Sequence, residues 1–415
     1  MKIGQFANEN NISIDTIRHY MDMGLITPEK TTGQYQFGER CQEDLKDIIY
    51  LKNLGFKLSE IKTIYQYRRI GKLSSLQYNQ YYKRLFEEKF VEIDNKIIEY
   101  EKIKSNLQAE IDHFDTTKNQ VIKQMGMKLS AVSLLECKEC QQEINIIDGD
   151  IQNNQILNGV LQCNCNEQYL IKDGILFTST TIKDSYKLRD QKKVINEFSD
   201  FMYDYIKETD EQFIDNVYKS LDWSYSRVDF EQLQYKNILH LGTGIGTSLR
   251  YIYESLPQDC LYIALEPNYK KMQVLKSILE SYETQKNILF ICSDFLNIPI
   301  KQHSIDFLID TGTSTYSLNH EEFLLQKVQG YLKEHSHLMG SYVCYENFHI
   351  NNNINREFRK NFQLEVIKEK IESLNFERKE ETTFTYIESH PGRYELNILK
   401  GEKTYNYLYI GKRLG

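Results

Sequence analysis

Four cysteines fall into two close pairs, Cys137-x-x-Cys140 and Cys163-x-Cys165, with twenty-two residues between the pairs. Soft thiolates at this spacing suit a tetrahedral zinc ion, and four protein ligands leave no open coordination position, so the expected role is structural. A Cys-x-x-Cys redox shuttle is the alternative reading of the same residues. Each pair needs a tight turn, and Asp148-Gly149 and Asn158-Gly159 supply hairpin signals between the pairs. A second constellation follows. Residues 238–246 read Ile-Leu-His-Leu-Gly-Thr-Gly-Ile-Gly, and Glu266 lies twenty positions beyond Gly246. An apolar strand runs into three alternating glycines, and a second strand then ends in a carboxylate. An α/β domain grips the ribose and adenine of a nucleotide-like cofactor in this way.

Positioning these groups requires a sheet. Apolar runs at 237–241, 261–266, 288–292, 305–310 and 338–344 have strand length and alternate with helical stretches. That alternation predicts a parallel sheet with helices on both faces and a ligand beyond the C-terminal strand ends. The third glycine of a dinucleotide site is missing, because Thr247 stands in its place. The pattern Gly242-x-Gly244-x-Gly246, joined by Glu266, Ser293-Asp294-Phe295, Ile298-Pro299 and Ser304-Ile305-Asp306, resembles the class I S-adenosylmethionine-dependent methyltransferases over about residues 190–415.

The resemblance implies a Rossmann-like domain that binds S-adenosylmethionine. Gly242, Gly244 and Gly246 would offer bare backbone to the methionine and ribose. Glu266 would accept hydrogen bonds from both ribose hydroxyls, Asp294 would meet the adenine amino group, and Phe295 would pack on the ring. Where that family commonly has an acidic residue two positions before the first glycine, this chain has His240. Methyl transfer needs alignment, and a base only when the nucleophile must lose a proton. The catalytic candidates after the fourth and fifth strands are Asp310 and Tyr316, with His320, Tyr345 and Glu346 behind them. Motifs of amino-methylating nucleic-acid enzymes and of cytosine methylation are missing, so a small-molecule or peptide acceptor is expected.

The cysteine segment, with Tyr169-Leu170-Ile171-Lys172-Asp173-Gly174-Ile175 after it, resembles the zinc ribbons that precede some of these methyltransferases. Lys138 and Asn166 replace the usual Pro after the first Cys and Gly after the last. Cys41, Cys260, Cys292 and Cys344 are isolated and read as core residues.

The first seventy residues carry a different chemistry. Ile3, Phe6 and Ala7 sit at helical spacing, Ser13 suits the N-cap of a second helix through Asp22, and Gly24 suits its end. Residues 27–38 suit a small hairpin wing, and helices at 39–54 and 58–70 flank Gly55. The runs Thr16-Ile17-Arg18-His19-Tyr20, Gly24-Leu25-Ile26-Thr27-Pro28 and Leu54-Gly55-Phe56-Lys57-Leu58-Ser59-Glu60-Ile61 resemble the MerR family of transcription regulators. The resemblance implies that Thr16 and Arg18 face the DNA major groove, that Tyr20 contacts a phosphate, and that the wing with Tyr35 lies against the backbone. The usual wing arginine is replaced, since the chain reads Gly33-Gln34-Tyr35-Gln36-Phe37.

Phe86, Ile93, Tyr100, Leu107 and Phe114 recur every seven residues, with Phe90, Ile97, Lys104 and Ile111 four after each of the first four. These are the a and d positions of a coiled coil, although an amphipathic helix packed within one chain is the alternative. A homodimer would present two recognition helices to a palindromic operator in promoter DNA.

A chain of 415 residues exceeds one hydrophobic core. Residues 1–72 hold eleven Lys/Arg and nine Asp/Glu, a charge of +2; the whole chain is −8, so the remainder carries −10 and is a poor nonspecific surface for RNA. The N-terminus lacks the apolar core of a signal peptide and no run is long enough to span a membrane, so a reducing, cytoplasmic setting is expected.

The expected fold class is multidomain. It comprises an all-α winged helix-turn-helix over 1–73, a coiled-coil helix over 74–120, a small β zinc ribbon over 130–180, and an α/β Rossmann-like class I methyltransferase domain over 190–415. The expected function is transcription regulation, with the last domain as effector or catalytic unit. The alternative is a methyltransferase of a small molecule, with rRNA as the less favoured acceptor, that controls its own gene.

Overall fold

The computed structural model describes residues 1–31, 33–71, 74–116, 123–178, 191–384, 387–388 and 398–414. The expected domain boundaries at 73, 120, 180 and 190 lie outside the described residues. The chain divides into two compact units, Met1–Asn119 and Gln120–Gly415.

In the first unit α1 (Ile3–Glu9) and α2 (Ile14–Asp22) form the helix-turn-helix pair. The Ser13 hydroxyl accepts from the Thr16 amide at 3.0 Å and so caps α2. Gly24 takes φ +71° just beyond its end. β1 (Glu29–Thr31) and β2 (Gln34–Gln36) make the wing, and α3 (Glu39–Asn53) and α4 (Leu58–Ile70) follow, parted by Gly55 at φ +85°. Phe6, Ile17, Leu45, Ile48 and Ile61 close one core. Then α5 (Ser75–Thr116) runs for 42 residues, a length of about 63 Å. Its first heptad position is held inside the unit, where Phe86 meets Phe56 edge-on at 5.4 Å. Further along the helix Phe90, Ile97, Tyr100, Leu107 and Ile111 are exposed.

The second unit begins with β3 (Met127–Lys128) and α6 (Leu129–Val132). The cysteine segment supplies β4 (Ile144–Gln152), β5 (Gln155–Cys163), β6 (Gln168–Lys172) and β7 (Ile175–Phe177). Two helices follow, α7 (Gln191–Glu208) and α8 (Glu211–Tyr225). Alternation then sets in with β8 (Asn237–Leu241), α9 (Thr247–Ile252), β9 (Leu261–Leu265), α10 (Tyr269–Leu279), β10 (Ile288–Cys292) and β11 (Ile305–Asp310). The remaining elements are α11 (Thr313–Tyr316), α12 (Leu324–Val328), β12 (Leu332–Tyr345), α13 (Leu364–Glu372), β13 (Phe376–Thr383), β14 (Ile387–Glu388) and β15 (Lys403–Arg413).

One thirteen-stranded sheet gathers these strands among the described residues, in the order β13-β15-β12-β11-β8-β9-β10-β7-β6-β5-β3. From β12 to β10 the strands are parallel, and the order reverses direction of travel at β8, where the glycine loop begins. β15 runs antiparallel between β12 and β13. Alternate residues face alternate sides. Leu239, Leu241, Ile263 and Leu265 join α12 and α13 in one core, while Ile238, Tyr262, Ala264 and Phe290 join α9 and α10 in the other.

The cysteine segment is built into this sheet. β7 pairs in parallel with β10, and β6 and β5 continue the sheet beyond it. No helix covers the β10–β11 connection. Leu135 bridges Ile300 instead, Glu136 N–H donates to Pro299 O at 3.1 Å, and Lys301 N–H donates to Leu134 O at 2.9 Å. The apolar face that a helix would have covered is closed by Leu135, Leu161 and Tyr169.

Two local expectations change. Asp148-Gly149 and Asn158-Gly159 lie inside paired strands, with Gly149 opposite Gly159. A Cβ on Gly159 would stand 2.7 Å from Asp148 O, so glycine there serves close strand approach. The turn is Asn153-Asn154, with φ +49° and +59°, as a tight primed hairpin turn requires. The strand expected at 338–344 is also longer, because its first turn of residues, Lys333 to Ser336, is polar and carries no apolar alternation.

Candidate functional site

The glycine loop sits at the C-terminal end of β8. Gly242, Gly244 and Gly246 all have positive φ, at +72°, +60° and +81°. A Cβ on Gly242 would meet Gly312 Cα at 2.7 Å, and one on Gly246 would meet Leu275 Cδ1 at 2.2 Å. A Cβ on Gly244 would find nothing nearer than 3.9 Å. Two of the glycines thus let backbone and α10 close in, and the middle one leaves room for a ligand. Glu266, buried at the end of β9, accepts from Gly244 N–H at 2.9 Å through Oε2 and from Asn268 N–H at 2.9 Å through Oε1. Each oxygen keeps a second acceptor direction, which is what a ribose diol needs.

A cavity of about 580 Å³ opens against this loop. Gly242, Thr243 and Gly244 form one wall, with His240, Thr311 and Ser341 beside them, and α7 and α8 form the cover. His240 is buried, and its Nδ1 lies 2.6 Å from the Tyr262 hydroxyl and its Nε2 2.9 Å from Thr311 Oγ1. The Thr311 hydroxyl is itself directed at the carbonyls of Leu241 and Gly242, at 3.2 and 3.1 Å. That arrangement assigns the proton to Nε2, with Tyr262 donating to Nδ1. Burial pushes the imidazole down to about 3, so it is neutral.

Other anticipated residues have different partners. Asp294 Oδ1 accepts from Leu296 N–H at 2.9 Å and Asn297 N–H at 3.0 Å, and Oδ2 from Asn297 Nδ2 at 2.6 Å. Phe295 is buried and meets Tyr316 edge-on at 6.3 Å. Asp310 is fully buried and caps α11, accepting from Gly312 N–H at 3.1 Å, Thr313 N–H at 2.9 Å and the Thr313 hydroxyl at 2.6 Å. Burial raises its carboxyl above the usual range. Tyr316 stacks on His320 at 4.0 Å, Tyr345 stacks on Phe348 at 4.3 Å, and Glu346 lies 3.9 Å from Lys403. None of these residues lines the cavity.

The four cysteines do converge. Every sulfur lies within 4.8 Å of the others, with Cys137–Cys165 at 3.6 Å and Cys140–Cys163 at 3.3 Å. Tetrahedral zinc–thiolate geometry separates sulfurs by about 3.8 Å, so the set fits the ion. Each pair rides on a turn whose last residue is left-handed, Gln141 at φ +57° and Asn166 at φ +72°. Asn166 therefore does what glycine usually does at that position. Burial works against the Cys137 thiolate, yet the Cys140 amide and the Tyr169 hydroxyl hold it at about 6. Cys163 pushes Cys140 up to about 12. Lys138 reaches Glu167 at 3.2 Å and ties the two turns together.

In the first unit, Arg18 is largely exposed on α2 and pairs with Asp15 at 3.2 Å. Thr16 hydrogen-bonds the Ser13 hydroxyl at 2.8 Å, and Tyr35 stands exposed on the wing. Tyr20 is buried, with its hydroxyl 3.4 Å from Lys52 Nζ. Arg69 donates to Gly24 O and Leu25 O at 2.6 and 2.8 Å and fixes the corner after α2.

Residues 1–68 match the model of the MerR HTH family regulatory proteins. The chain is 31% identical over 109 residues to an HTH-type transcriptional regulator ZntR homolog of Haemophilus influenzae, covering 26% of this chain and 78% of that protein. This protein belongs to the MerR family. A second relative is the HTH-type transcriptional activator mta of Bacillus subtilis, 30% identical over 78 residues, 18% of this chain and 30% of that one. Among solved structures, a SAM-dependent methyltransferase from Methanosarcina mazei is 14% identical, covers 45% of this chain and 95% of its own, and has a TM-score of 0.34. The MerR helix-turn-helix unit is followed in the chain by a unit whose strands β12-β11-β8-β9-β10 form a parallel, Rossmann-like sheet. Among the described residues no helix is long and apolar enough to cross a membrane.

Sequence reading passed over the residues that complete the cavity of this MerR protein. Tyr262 and Thr311 orient His240, and Ser220 and Ser224 reach the space from α8. The spacing Val217, Ser220, Leu221, Ser224 was the available signal, since it places four residues on one helical face.

Proposed function

We propose that this protein is a dimeric, promoter-binding regulator whose methyltransferase-like unit binds S-adenosylmethionine. The observation that carries the reading is the pairing of Glu266 with the open Gly244 at the mouth of the cavity. Glu266 holds the ribose hydroxyls, Gly242 and Gly244 lie beside the methionine, and Asp294 and Phe295 border the adenine end. When bound, the cofactor supplies an electrophilic methyl group. The His240 ring, held neutral, gives the cofactor's ammonium no counter-charge. Asp310 and Tyr316 stand outside the cavity. Their placement favours a ligand-sensing role over catalysis that needs a proton removed.

Thr16, Arg18 and Tyr35 contact the promoter DNA, and Tyr20 supports α2 from beneath. The exposed stripe from Phe90 to Ile111 pairs with the same stripe of a second copy. Cys137, Cys140, Cys163 and Cys165 hold one structural zinc. The setting is the reducing cytoplasm.

Titration calorimetry on the full chain tests the cofactor reading. Wild type binds S-adenosylmethionine, and Glu266→Ala weakens it about tenfold or more, a loss of about 1–3 kcal/mol. Asp294→Ala changes it by less than about threefold, because its oxygens already hold Leu296 and Asn297. Absence of heat and of any thermal shift at millimolar cofactor would remove S-adenosylmethionine from the account.

A further inference from the structure

The cavity does not end at the glycine loop. Its floor continues across β11 and β12 to β15, where Met339, Ser341, Asn406 and Leu408 line it. Strand alternation accounts for this set. Tyr342, Tyr407 and Tyr409 point into the core shared with α12 and α13. The residues between them face the other way, toward the cavity. Ser341 lies opposite Leu408, and Val343 lies opposite Asn406. Ser341 and Asn406 are therefore diagonal neighbours on one face, and such neighbours stand about 7–8 Å apart.

These two side chains are the uncommitted polar groups of the far floor. Both residues are half-buried and line the cavity. Among the described residues neither the Asn406 carboxamide nor the Ser341 hydroxyl has a hydrogen-bond partner. Their polar neighbours are engaged. Thr311 and His240 meet at 2.9 Å, the Thr311 hydroxyl is directed at two backbone carbonyls, and Ser314 Oγ accepts from Val343 N–H at 3.0 Å. The walls above are apolar, with Phe201 and Tyr205 from α7 and Leu221 from α8.

Water satisfies such groups while the cavity is open. A ligand that covers them displaces the water, and any donor or acceptor then left unmet costs affinity. The carboxamide offers two donors and an acceptor, and the hydroxyl offers one donor and an acceptor. A ketone meets only the donors. A group with an N–H beside a C=O meets both kinds, and its two ends can reach both side chains across that diagonal. Either orientation of the Asn406 amide gives the same answer.

We propose that the space over Ser341 and Asn406 takes an aromatic ring that carries an amide or imide edge, and that these two residues select it. The proposal rests on reading the glycine-loop end of the cavity as the cofactor site, and it names the class of the second ligand.

Two probes of nearly equal shape test it: 4-methylbenzamide and 4-methylacetophenone, which differ by an amide NH2 in place of a methyl. Each is titrated into the full chain by calorimetry, with and without saturating S-adenosylhomocysteine. The amide is expected to bind about tenfold or more tightly than the ketone. Asn406→Leu, of nearly the same size, is expected to cut that preference to about twofold or less, and Ser341→Ala to weaken the amide about threefold or more. Thermal melting checks that both variants fold. Should Asn406→Leu fail to fold, Asn406→Ser and Ser341→Ala still decide the matter. A ketone that binds native protein as tightly as the amide overturns the proposal. So does a tenfold preference that survives Asn406→Leu, or a failure of both probes to bind at millimolar concentration. If S-adenosylhomocysteine gives no heat while the probes and variants keep their order, the cofactor reading fails and the ligand class stands.

Discussion

The cysteine cluster and the glycine-loop cleft are both built from residues far apart in sequence, yet they differ in how completely those residues meet. All four thiols converge within 4.8 Å. In the cleft the three glycines and Glu266 converge, whereas Asp294, Phe295, Asp310 and Tyr316 are committed to turns, caps and packing. A cysteine side chain is one atom long beyond Cβ, so once the turns at Gln141 and Asn166 form, the sulfurs have nowhere else to point. A carboxylate at a strand end has free amides beside it and takes them. Spacing therefore predicts a thiolate site well, and predicts only the neighbourhood of a site built on strand ends.

Breaking the cluster should have the largest effect. The ribbon strands share a sheet and a core with the parallel strands, so Cys140→Ser or a strong chelator should destabilise the whole second unit. The expected cost is on the order of 5 kcal/mol or more. Calorimetric melting with metal analysis measures it: one zinc per chain, and a single transition of the second unit that moves down on chelation. A zinc content near zero, with all four thiols reactive, would turn the cluster into a metal-free fold element.

The cleft should respond next, through pH. His240 ionises at about 3 in the folded chain against 6.5 unperturbed. A depressed value means the neutral ring's contribution is fully present above pH 6.5 and is lost as pH falls toward 3. The loss is up to about 1.4 kcal/mol per pH unit, or about 2 kcal/mol by pH 5. Urea unfolding of wild type and His240→Asn between pH 7 and 5, in which the carboxylates common to both cancel, should show this difference. Parallel stability curves would mean that the imidazole is not buried neutral.

The glycines sharpen the comparison within the cleft itself. Gly246→Ala pushes a methyl onto the buried Leu275 at left-handed φ, for a cost of about 2–4 kcal/mol. Gly244→Ala has open space, so about 1 kcal/mol of backbone strain is expected. Its methyl enters the cavity, so cofactor binding should suffer more than stability. Chemical denaturation and calorimetry on the two variants separate these effects; equal losses of stability would mean that Gly244 is as enclosed as Gly246.

Much of the architecture was legible. Ser13, Gly24 and Gly55 marked the helix ends of the first unit, and the five apolar runs marked β8 to β12. The fusion of the ribbon to the sheet was not legible, because β7 is only Ile175 to Phe177 and pairs with β10 across more than a hundred residues. The Asn153-Asn154 turn was overshadowed by two nearby glycine pairs that lie inside paired strands, where Gly159 serves close strand approach. In the first unit Tyr20 looked like a surface contact by motif, and its apolar neighbours Ile17 and Leu25 draw it into the core. In the cleft, Tyr262 and Thr311 gave no signal, since their role exists only once β9 and β11 flank β8.

The proposed function has the Rossmann-like unit inform the DNA-binding unit. The most direct measurement is the affinity of the full chain for the DNA upstream of its own coding sequence, with and without saturating S-adenosylmethionine, paired with the cofactor affinity with and without that DNA. Linkage requires the two ratios to be equal, and coupling between sites is typically about 5- to 150-fold. Equal ratios in that range are the predicted result. Tight DNA binding that is indifferent to the cofactor, with cofactor binding indifferent to DNA, would contradict the account.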